Sequence, residues 1–205
     1  MTVHDTHTPG RKAPAYNPAD WLPTSLKEVR ARGWDELDVI LFSGDAYIDH
    51  PSFGAAVIGR LLEAEGLRVA IVPQPNWKDD LRDFRKLGRP RLFFGVVIVY
   101  TRILKLLYPD TPGFIGGSEA SLRRTTHYDY WSDSLKPSVL VESGADLLIY
   151  GMGDKTMPEI ARAMRGGYNL NLLRKLPQVA CLAARKQIET LPGDRIMLRS
   201  VERCL

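Results

Sequence analysis

The chain reads VILFSGDAYIDHPSFG over residues 39–54, and this stretch indicates the fold class most clearly. Its first four residues form a continuous apolar run, which is typical of a β-strand that is buried on both faces. A helix is predicted to start at Pro51 and Ser52, because proline favours the first turn of a helix. Val57, Ile58, Leu61 and Leu62 then share one face, and Gly66 ends the helix. The stretch therefore predicts a strand, a turn and a helix in succession.

Two similar units follow, GFIGGSEASLRRTTHYDYWSD over residues 113–133 and ADLLIYGMGD over residues 145–154. Apolar runs predict strands over residues 39–42, 67–72, 92–95, 113–115 and 146–150. Helices are predicted between them, over residues 79–87 and 101–108, and Asp154 is predicted to cap a last helix that runs to Met164. This alternation predicts an α/β fold with a doubly wound, mostly parallel, right-handed Rossmann-like sheet of about five strands in three layers.

The chain is long enough for one such domain, with 205 residues of which 44% are hydrophobic. We expect a loose tail over residues 1–20 and the Rossmann-like domain over residues 21–167. The domain opens with a short capped helix in which Thr24 precedes a Ser-Leu-Lys-Glu turn. Residues 168–205 read as an extension or linker, with one more strand over residues 178–183.

Composition excludes several classes of protein. The net charge of +4 comes from 28 basic and 24 acidic residues without a long basic run, which favours a mixed solvated surface over a nucleic-acid site. No apolar segment approaches the ~20 residues of a membrane helix, and the amino terminus lacks a signal peptide, so we expect a cytoplasmic protein. The two cysteines, Cys181 and Cys204, lack metal-ligand spacing, and we expect no metal site.

The loops that leave the carboxyl ends of parallel strands converge on one crevice, so the three units predict one shared site. Missing Cβ atoms at the Gly-Gly turn let a ligand approach the backbone. The candidate residues are Gly44, Asp45, Tyr47, Asp49, His50, Gly116, Gly117, Ser118, Glu119, Arg123, Arg124, His127, Tyr128, Trp131, Gly151, Gly153 and Asp154.

Several of these residues fit two interpretations. Arg123 and Arg124 can clamp a phosphate or carboxylate, or can be surface arginines of a short helix opened by Ser118 or Ser121 and paired with Asp129 or Asp133. His127 can be a general acid or base, although a hydrogen-bonded structural histidine is the favoured interpretation. Tyr128, Tyr130 and Trp131 can stack a base or pack against another domain, and packing is favoured.

Two motifs carry a resemblance to a known family. GDAYIDHPSFG at residues 44–54 and GGSEASLRRTTHYDYWSD at residues 116–133 resemble the amino-terminal part of the YgiQ family of predicted radical SAM proteins. The similarity covers residues 34 to about 164, and IMLRSVERCL at residues 196–205 is similar to the stretch that leads into the family's catalytic half. The resemblance implies that a [4Fe–4S] iron–sulfur cluster and S-adenosylmethionine act in the full-length protein.

The turns Gly116-Gly117-Ser118-Glu119 and Gly151-Met152-Gly153-Asp154 also resemble those of cobalamin-binding-like domains in radical SAM proteins. Inherited architecture without a ligand is the favoured interpretation, since both turns also lead a strand into a helix. The Asp-His-Pro spacing departs from the usual cobalt-binding pattern, and Pro51 and Ser52 explain the segment as a helix start. We therefore expect no cobalt ligation by His50, and no cofactor on this chain.

The chain departs from the family pattern in two places. Family members carry a long insertion after the third strand, whereas here Val96 runs directly into VIVYTRILKLLY, so we expect that about forty residues are missing at this junction. The catalytic half with its cluster-binding cysteines is not in this sequence. A radical SAM cluster needs three thiolates, and two cysteines do not supply them.

Three hypotheses follow. The first is the amino-terminal domain of a YgiQ-like radical SAM protein, substrate-side or regulatory, inactive alone and partnered by the missing catalytic half. The second is a free-standing module that binds a corrinoid or a nucleotide-like ligand. The third is an RNA-binding module, which rests on the basic balance and the block of aromatic and arginine residues.

Overall fold

A computed structural model describes residues 20–48, 53–167 and 170–184. The strands are β1 (Val39–Ser43), β2 (Val69–Pro73), β3 (Phe93–Val96), β4 (Gly113–Gly116), β5 (His127–Asp129), β6 (Ser134–Lys136), β7 (Leu147–Ile149) and β8 (Val179–Ala180). The helices are α1 (Leu26–Ala31), α2 (Gly54–Ala64), α3 (Arg82–Arg85), α4 (Ile98–Leu107), α5 (Ser118–Leu122), α6 (Val139–Ser143), α7 (Thr156–Arg165) and α8 (Leu170–Leu173).

The main sheet has the strand order β2-β1-β3-β4-β7-β8. The first five strands pair in parallel, whereas β8 pairs antiparallel with β7. Strands β5 and β6 form a separate antiparallel hairpin that is not hydrogen-bonded into this sheet. The predicted α/β class with five parallel strands is confirmed, and the strand expected over residues 178–183 is a two-residue antiparallel edge.

Side chains of the central strands alternate between two apolar layers, as the pleat of a strand requires. Ile40 and Phe42 of β1 face a core that includes buried residues of α3, α4 and α6. Val39 and Leu41 face the other core, which includes buried residues of α2 and α7. Helices therefore cover both faces of the sheet, and the fold is a three-layer, doubly wound one.

The helix after β1 differs from its prediction. Helix α2 begins at Gly54, and the predicted start at Pro51 and Ser52 lies outside the described residues. Val57 is exposed, so its predicted place on the buried face is wrong. The buried face instead contains Gly59, where an added Cβ would collide with Leu22 Cδ1. Residues 57 and 59 are about 200° apart on a helix, so they point to opposite sides.

Helix α1 is capped as predicted, with Ser25 at the N-cap and a capping box to Glu28. Two other helices start at positions that differ from their predictions. Helix α4 was predicted from residue 101 but begins at Ile98, with the extended residue Val97 as the whole connection from β3. The predicted helix over residues 79–87 is the four-residue α3, whose Phe84 stacks on Phe42 with ring centroids 5.3 Å apart.

Charged side chains join the amino ends of the strands, and we call this side of the sheet the amino edge. Asp38, directly before β1, is buried and accepts hydrogen bonds from the Arg68 backbone N–H (2.8 Å) and from Arg91 Nε (2.8 Å). The Arg68 guanidinium adds bonds of 3.2 and 3.1 Å. Although burial raises the pKa of Asp38, the hydrogen bonds from Arg68 and Arg91 outweigh it and lower the pKa below its ordinary value.

Candidate functional site

The predicted crevice lies at the opposite side, where the parallel strands end, and we call this side the carboxyl edge. Strand order reverses between β1 and β3, and ligands of open α/β sheets bind at such a reversal. Gly44 and Asp45 follow β1 there, and the Asp45 N–H donates to Ser43 Oγ (3.1 Å). Val97 Cγ2 would lie 3.8 Å from a Cβ added to Gly44, so the start of α4 sits beside the first loop.

Tyr47, a candidate of the first loop, contacts the segment before α1. Its hydroxyl accepts a hydrogen bond from the Leu22 N–H (2.9 Å), and its ring packs edge-on against Trp21 at 5.7 Å. This tyrosine therefore fastens the segment before α1 to the domain. Two further candidates, Asp49 and His50, lie outside the described residues.

The Gly-Gly turn is joined to the third loop. Gly117 has a φ of +93°, a conformation that favours glycine, and it occupies the N-cap position of α5. An added Cβ on Gly116 would lie 3.3 Å from the Ile149 carbonyl oxygen, so backbones approach closely here. Ser121 Oγ donates to the Gly117 carbonyl (2.7 Å) and accepts from the Gly151 N–H (3.0 Å). The loops after β4 and β7 are thus neighbours, as predicted.

The arginine pair has partners inside the domain. Arg123 pairs with Glu119 at 3.3 Å, one helical turn away, instead of with Asp129 or Asp133. Arg124 lies over the Tyr150 ring, 5.1 Å from its centroid, and donates to the Ser121 carbonyl. Both contacts fit surface arginines better than a preformed anion clamp. Ser118 opens α5 as one of the two predicted starts.

The hairpin of β5 and β6 carries the aromatic residues of the block. Tyr130 and Trp131 lie at its turn, are 68% and 80% exposed, and pack on each other with ring centroids 4.7 Å apart. Tyr128 donates to Asp133 (2.5 Å), and this hydrogen bond raises the pKa of Tyr128. His127 Nδ1 contacts the Thr125 carbonyl at 3.3 Å, a local structural contact.

The third loop is held by a residue far along the chain. Gly151 and Gly153 have φ values of +78° and +70°, and a Cβ on Gly151 would lie 2.9 Å from Gln178 Nε2. Thr156 Oγ1 donates to Gln178 Oε1 (3.1 Å). The predicted capping role of Asp154 is wrong, because Lys155 occupies the N-cap position of α7 and no side chain caps it.

A groove at the amino edge was not predicted. It has a volume of about 450 Å³ and is lined in part by Leu37, Leu87, Arg89 and Arg91. The groove opens at the side of the sheet opposite to the converging loops. Asp38, next to the lining residue Leu37 in sequence, accepts hydrogen bonds from Arg68 and Arg91, so its carboxylate is not available to a ligand of the groove.

Comparison with known families decides the identity. The model of the radical SAM N-terminal family matches residues 21–97 and 96–205. The chain belongs to this family. This member of the family therefore has the predicted Rossmann-like sheet. The matched residues include all three loops of the carboxyl edge.

The relatives agree with the YgiQ resemblance. A UPF0313 protein from Porphyromonas gingivalis is 55% identical over 91% of this chain and 35% of its own length. The UPF0313 protein YgiQ of Escherichia coli is 40% identical over 88% of this chain and 29% of its own length. The radical SAM N-terminal chain described here thus spans about a third of the length of these relatives, and it corresponds to the amino-terminal part of UPF0313 radical SAM proteins.

The same comparisons bear on the junction between β3 and α4. The family model matches in two pieces that meet at residues 96–97. The alignment with the P. gingivalis protein runs over 223 residues, which exceeds the 205 residues of this chain. That relative therefore contains internal residues that this chain lacks. Both observations support the predicted loss of a segment after Val96.

Solved structures show the same fold. The radical S-adenosylmethionine methyltransferase TsrM from Kitasatospora setae, with cobalamin and a [4Fe–4S] cluster bound, aligns with a TM-score of 0.51 and 16% identity. The alignment covers 72% of this chain and 27% of that one. A TsrM structure with tryptophan and a SAM analogue aligns with a TM-score of 0.50 and 18% identity. At these identities the likeness shows the fold alone.

The residues of this chain do not fit a radical SAM cluster. Three thiolates hold such a cluster, and the sequence has two cysteines. Cys181 is half-buried, burial raises the pKa of its thiol, and Cys204 lies outside the described residues. Over residues 20–48, 53–167 and 170–184, no cluster of three His, Cys, Asp or Glu side chains is placed to hold a metal ion. Helices in the same ranges are too short or too polar to cross a membrane.

Proposed function

We propose that this chain is the substrate-side or regulatory domain of a YgiQ-type radical SAM protein, whose cluster and S-adenosylmethionine are held by the remainder of that protein. The observation that supports this proposal is the family match over residues 21–97 and 96–205 in a sequence with two cysteines. A chain of this family without three thiolates acts beside the radical chemistry and does not perform it.

The arrangement of the loops supports a role at the interface between substrate and catalytic part. The carboxyl edge gathers Gly44, Gly117 and Gly151 at the ends of three parallel strands. Its arginines are already paired and its histidine makes a local contact. Such an edge suits positioning or recognition of a substrate or of the catalytic part.

The experiment is anaerobic reconstitution with iron and sulfide, applied to this chain and to the full-length protein that contains it. We expect the full-length protein to show a stoichiometric [4Fe–4S] signal and to cleave S-adenosylmethionine, and this chain to do neither. A full-length variant with its cluster cysteines replaced by serine is the control. A stoichiometric cluster on the isolated chain would contradict the proposal.

A second candidate is a corrinoid-binding module, and one observation favours it. The TsrM structure that aligns over 72% of this chain has cobalamin bound. Titration with hydroxocobalamin, followed by equilibrium dialysis and absorbance, tests it. We expect no tight complex, and we expect identical spectra for the wild type and His50→Ala. Tight binding with a spectrum that changes in His50→Ala would establish the second candidate instead.

A further inference from the structure

Large exposed apolar side chains occur along the whole carboxyl edge. Each of the five parallel strands is followed by at least one large exposed apolar side chain, which lies in the loop or hairpin after the strand or, for β3, in the first turn of α4. These are Ile48 after β1, Trp77 after β2, Val99 after β3, Tyr130 and Trp131 after β4, and Met152 after β7. An isolated exposed apolar residue is ordinary, but a patch of them along one edge marks an interaction site.

The aromatic and methionine side chains of this set lie outside both apolar cores of the domain. Tyr130 and Trp131 contact each other at the tip of a hairpin that is outside the main sheet. Trp77 is half exposed, and its recorded ring contact is with the ammonium group of Lys78 at 5.1 Å. Met152 is 82% exposed between two glycines. Aromatic and methionine side chains of this kind are enriched at protein–protein interfaces.

The extent of the edge favours a macromolecular partner over a small ligand. Parallel strands lie about 4.8 Å apart, so the five strands from β2 to β7 span roughly 19 Å. A standard protein interface buries about 800 Å² on each partner. One small molecule contacts the loops of two or three neighbouring strands, whereas the exposed apolar residues follow all five.

We propose that the carboxyl edge is the docking surface for the remaining two-thirds of the same full-length protein. This inference rests on the proposed function. The occupant is indicated by length, because the P. gingivalis relative extends well beyond this chain, which covers 35% of it. Ionic groups beside the apolar residues, such as the Arg123–Glu119 pair and Asp129, then form the polar rim of the interface.

Hydroxyl-radical footprinting tests the inference, with the isolated chain compared to the full-length protein reconstituted with its cluster. We expect oxidation of Trp77, Trp131 and Met152 to fall at least fivefold in the full-length protein. Leu106, which is 84% exposed on α4, is the internal control and keeps its rate. Unchanged oxidation of all three in a full-length protein that holds its cluster would overturn the inference and leave the proposed function intact. A full-length protein that holds no cluster would instead defeat the proposed function.

A second copy of the chain is the alternative occupant, and sedimentation equilibrium separates it. We expect the isolated chain to be monomeric at micromolar concentration, and Trp131→Ala to leave its mass unchanged. A dimer that Trp131→Ala dissociates and Leu106→Ala does not would assign the edge to self-association and overturn the inference.

Discussion

The side chains at the two edges of the sheet differ in their contacts. At the amino edge, Asp38 accepts hydrogen bonds from Arg68 and Arg91. Asp146, on the same edge, accepts from the Gly113 N–H (2.8 Å) and from Lys105 Nζ (2.6 Å). At the carboxyl edge, apolar side chains such as Trp131 and Met152 extend into solvent.

This difference distinguishes residues that stabilise the fold from residues that we propose contact a partner. A buried carboxylate is held by hydrogen bonds inside the domain, so its removal leaves the donors unpaired and destabilises the fold. An exposed aromatic residue on a hairpin contributes little until a surface covers it. Substitutions at the amino edge are therefore expected to destabilise the isolated chain, whereas substitutions at the carboxyl edge are expected to destabilise the full-length protein.

Of the two edges, the amino edge is expected to show the larger effect. Asp38→Ala leaves the Arg68 N–H and two partly exposed arginines without their shared carboxylate and is expected to lower the free energy of unfolding by about 2 kcal/mol. Urea denaturation of the isolated chain measures it. The control is Asp80→Ala, which removes an exposed carboxylate paired with Arg82 at 2.9 Å and is expected to cost under about 1 kcal/mol. Equal losses for the two variants would remove the distinction between the edges.

Acid should act through the same residue with a smaller effect. Because the folded-state pKa of Asp38 is lowered, its contribution is complete above the unfolded value of about 3.9 and declines as the pH falls through the folded value. The stability difference between wild type and Asp38→Asn should therefore shrink from pH 7 to pH 3. Urea midpoints at both pH values test this, and a constant difference would show that the charge of Asp38 is not what stabilises the edge.

Part of this comparison was available from the sequence. Apolar runs predicted the five parallel strands, because strands buried on both faces leave a strong signal. The Asp38 network was missed although a signal exists: Asp38, Arg68 and Arg91 each precede one of the first three strands, and the amino ends of parallel strands meet.

Other parts were not predictable from local patterns. Strands β5 and β6 have three residues each and no apolar alternation, so the hairpin leaves no periodic signal. The Asp154 cap failed because Gly151 and Gly153 turn the loop so that Lys155 takes the cap position. The contact between Gly151 and Gln178 joins residues 27 positions apart, and only the tertiary fold brings them together.

The third loop offers an intermediate effect. Gly151→Ala forces a left-handed conformation on alanine, which costs about 1–2 kcal/mol, and also displaces Gln178 from Thr156. Gly88→Ala is the matched control, because Gly88 has a φ of +73° and nothing within 4 Å of an added Cβ. We expect a lower thermal midpoint for Gly151→Ala than for Gly88→Ala. Identical midpoints would show that Gln178 moves aside at no cost.

The smallest effects are expected at the carboxyl edge of the isolated chain. Arg124→Ala and Trp131→Ala should each change the free energy of unfolding by no more than about 0.5 kcal/mol, because neither side chain is buried in the core. Phe94→Ala, which removes a fully buried ring, should cost about 3–5 kcal/mol in the same urea experiment. A loss near that of Phe94→Ala for Trp131→Ala would place this tryptophan in the core.

The most direct test compares the cost of Trp131→Ala in two contexts, the isolated chain and the full-length protein with its cluster. We expect a loss within about 0.5 kcal/mol in the chain and at least about 2 kcal/mol in the full-length protein, the size typical of a buried interface tryptophan. Both losses are measured by urea titration, in which unfolding is monitored by the hydrogen-exchange protection of the backbone amides of residues 127–136. An equally small loss in both contexts, from a full-length protein that holds its cluster, would contradict the claim that the carboxyl edge is a docking surface.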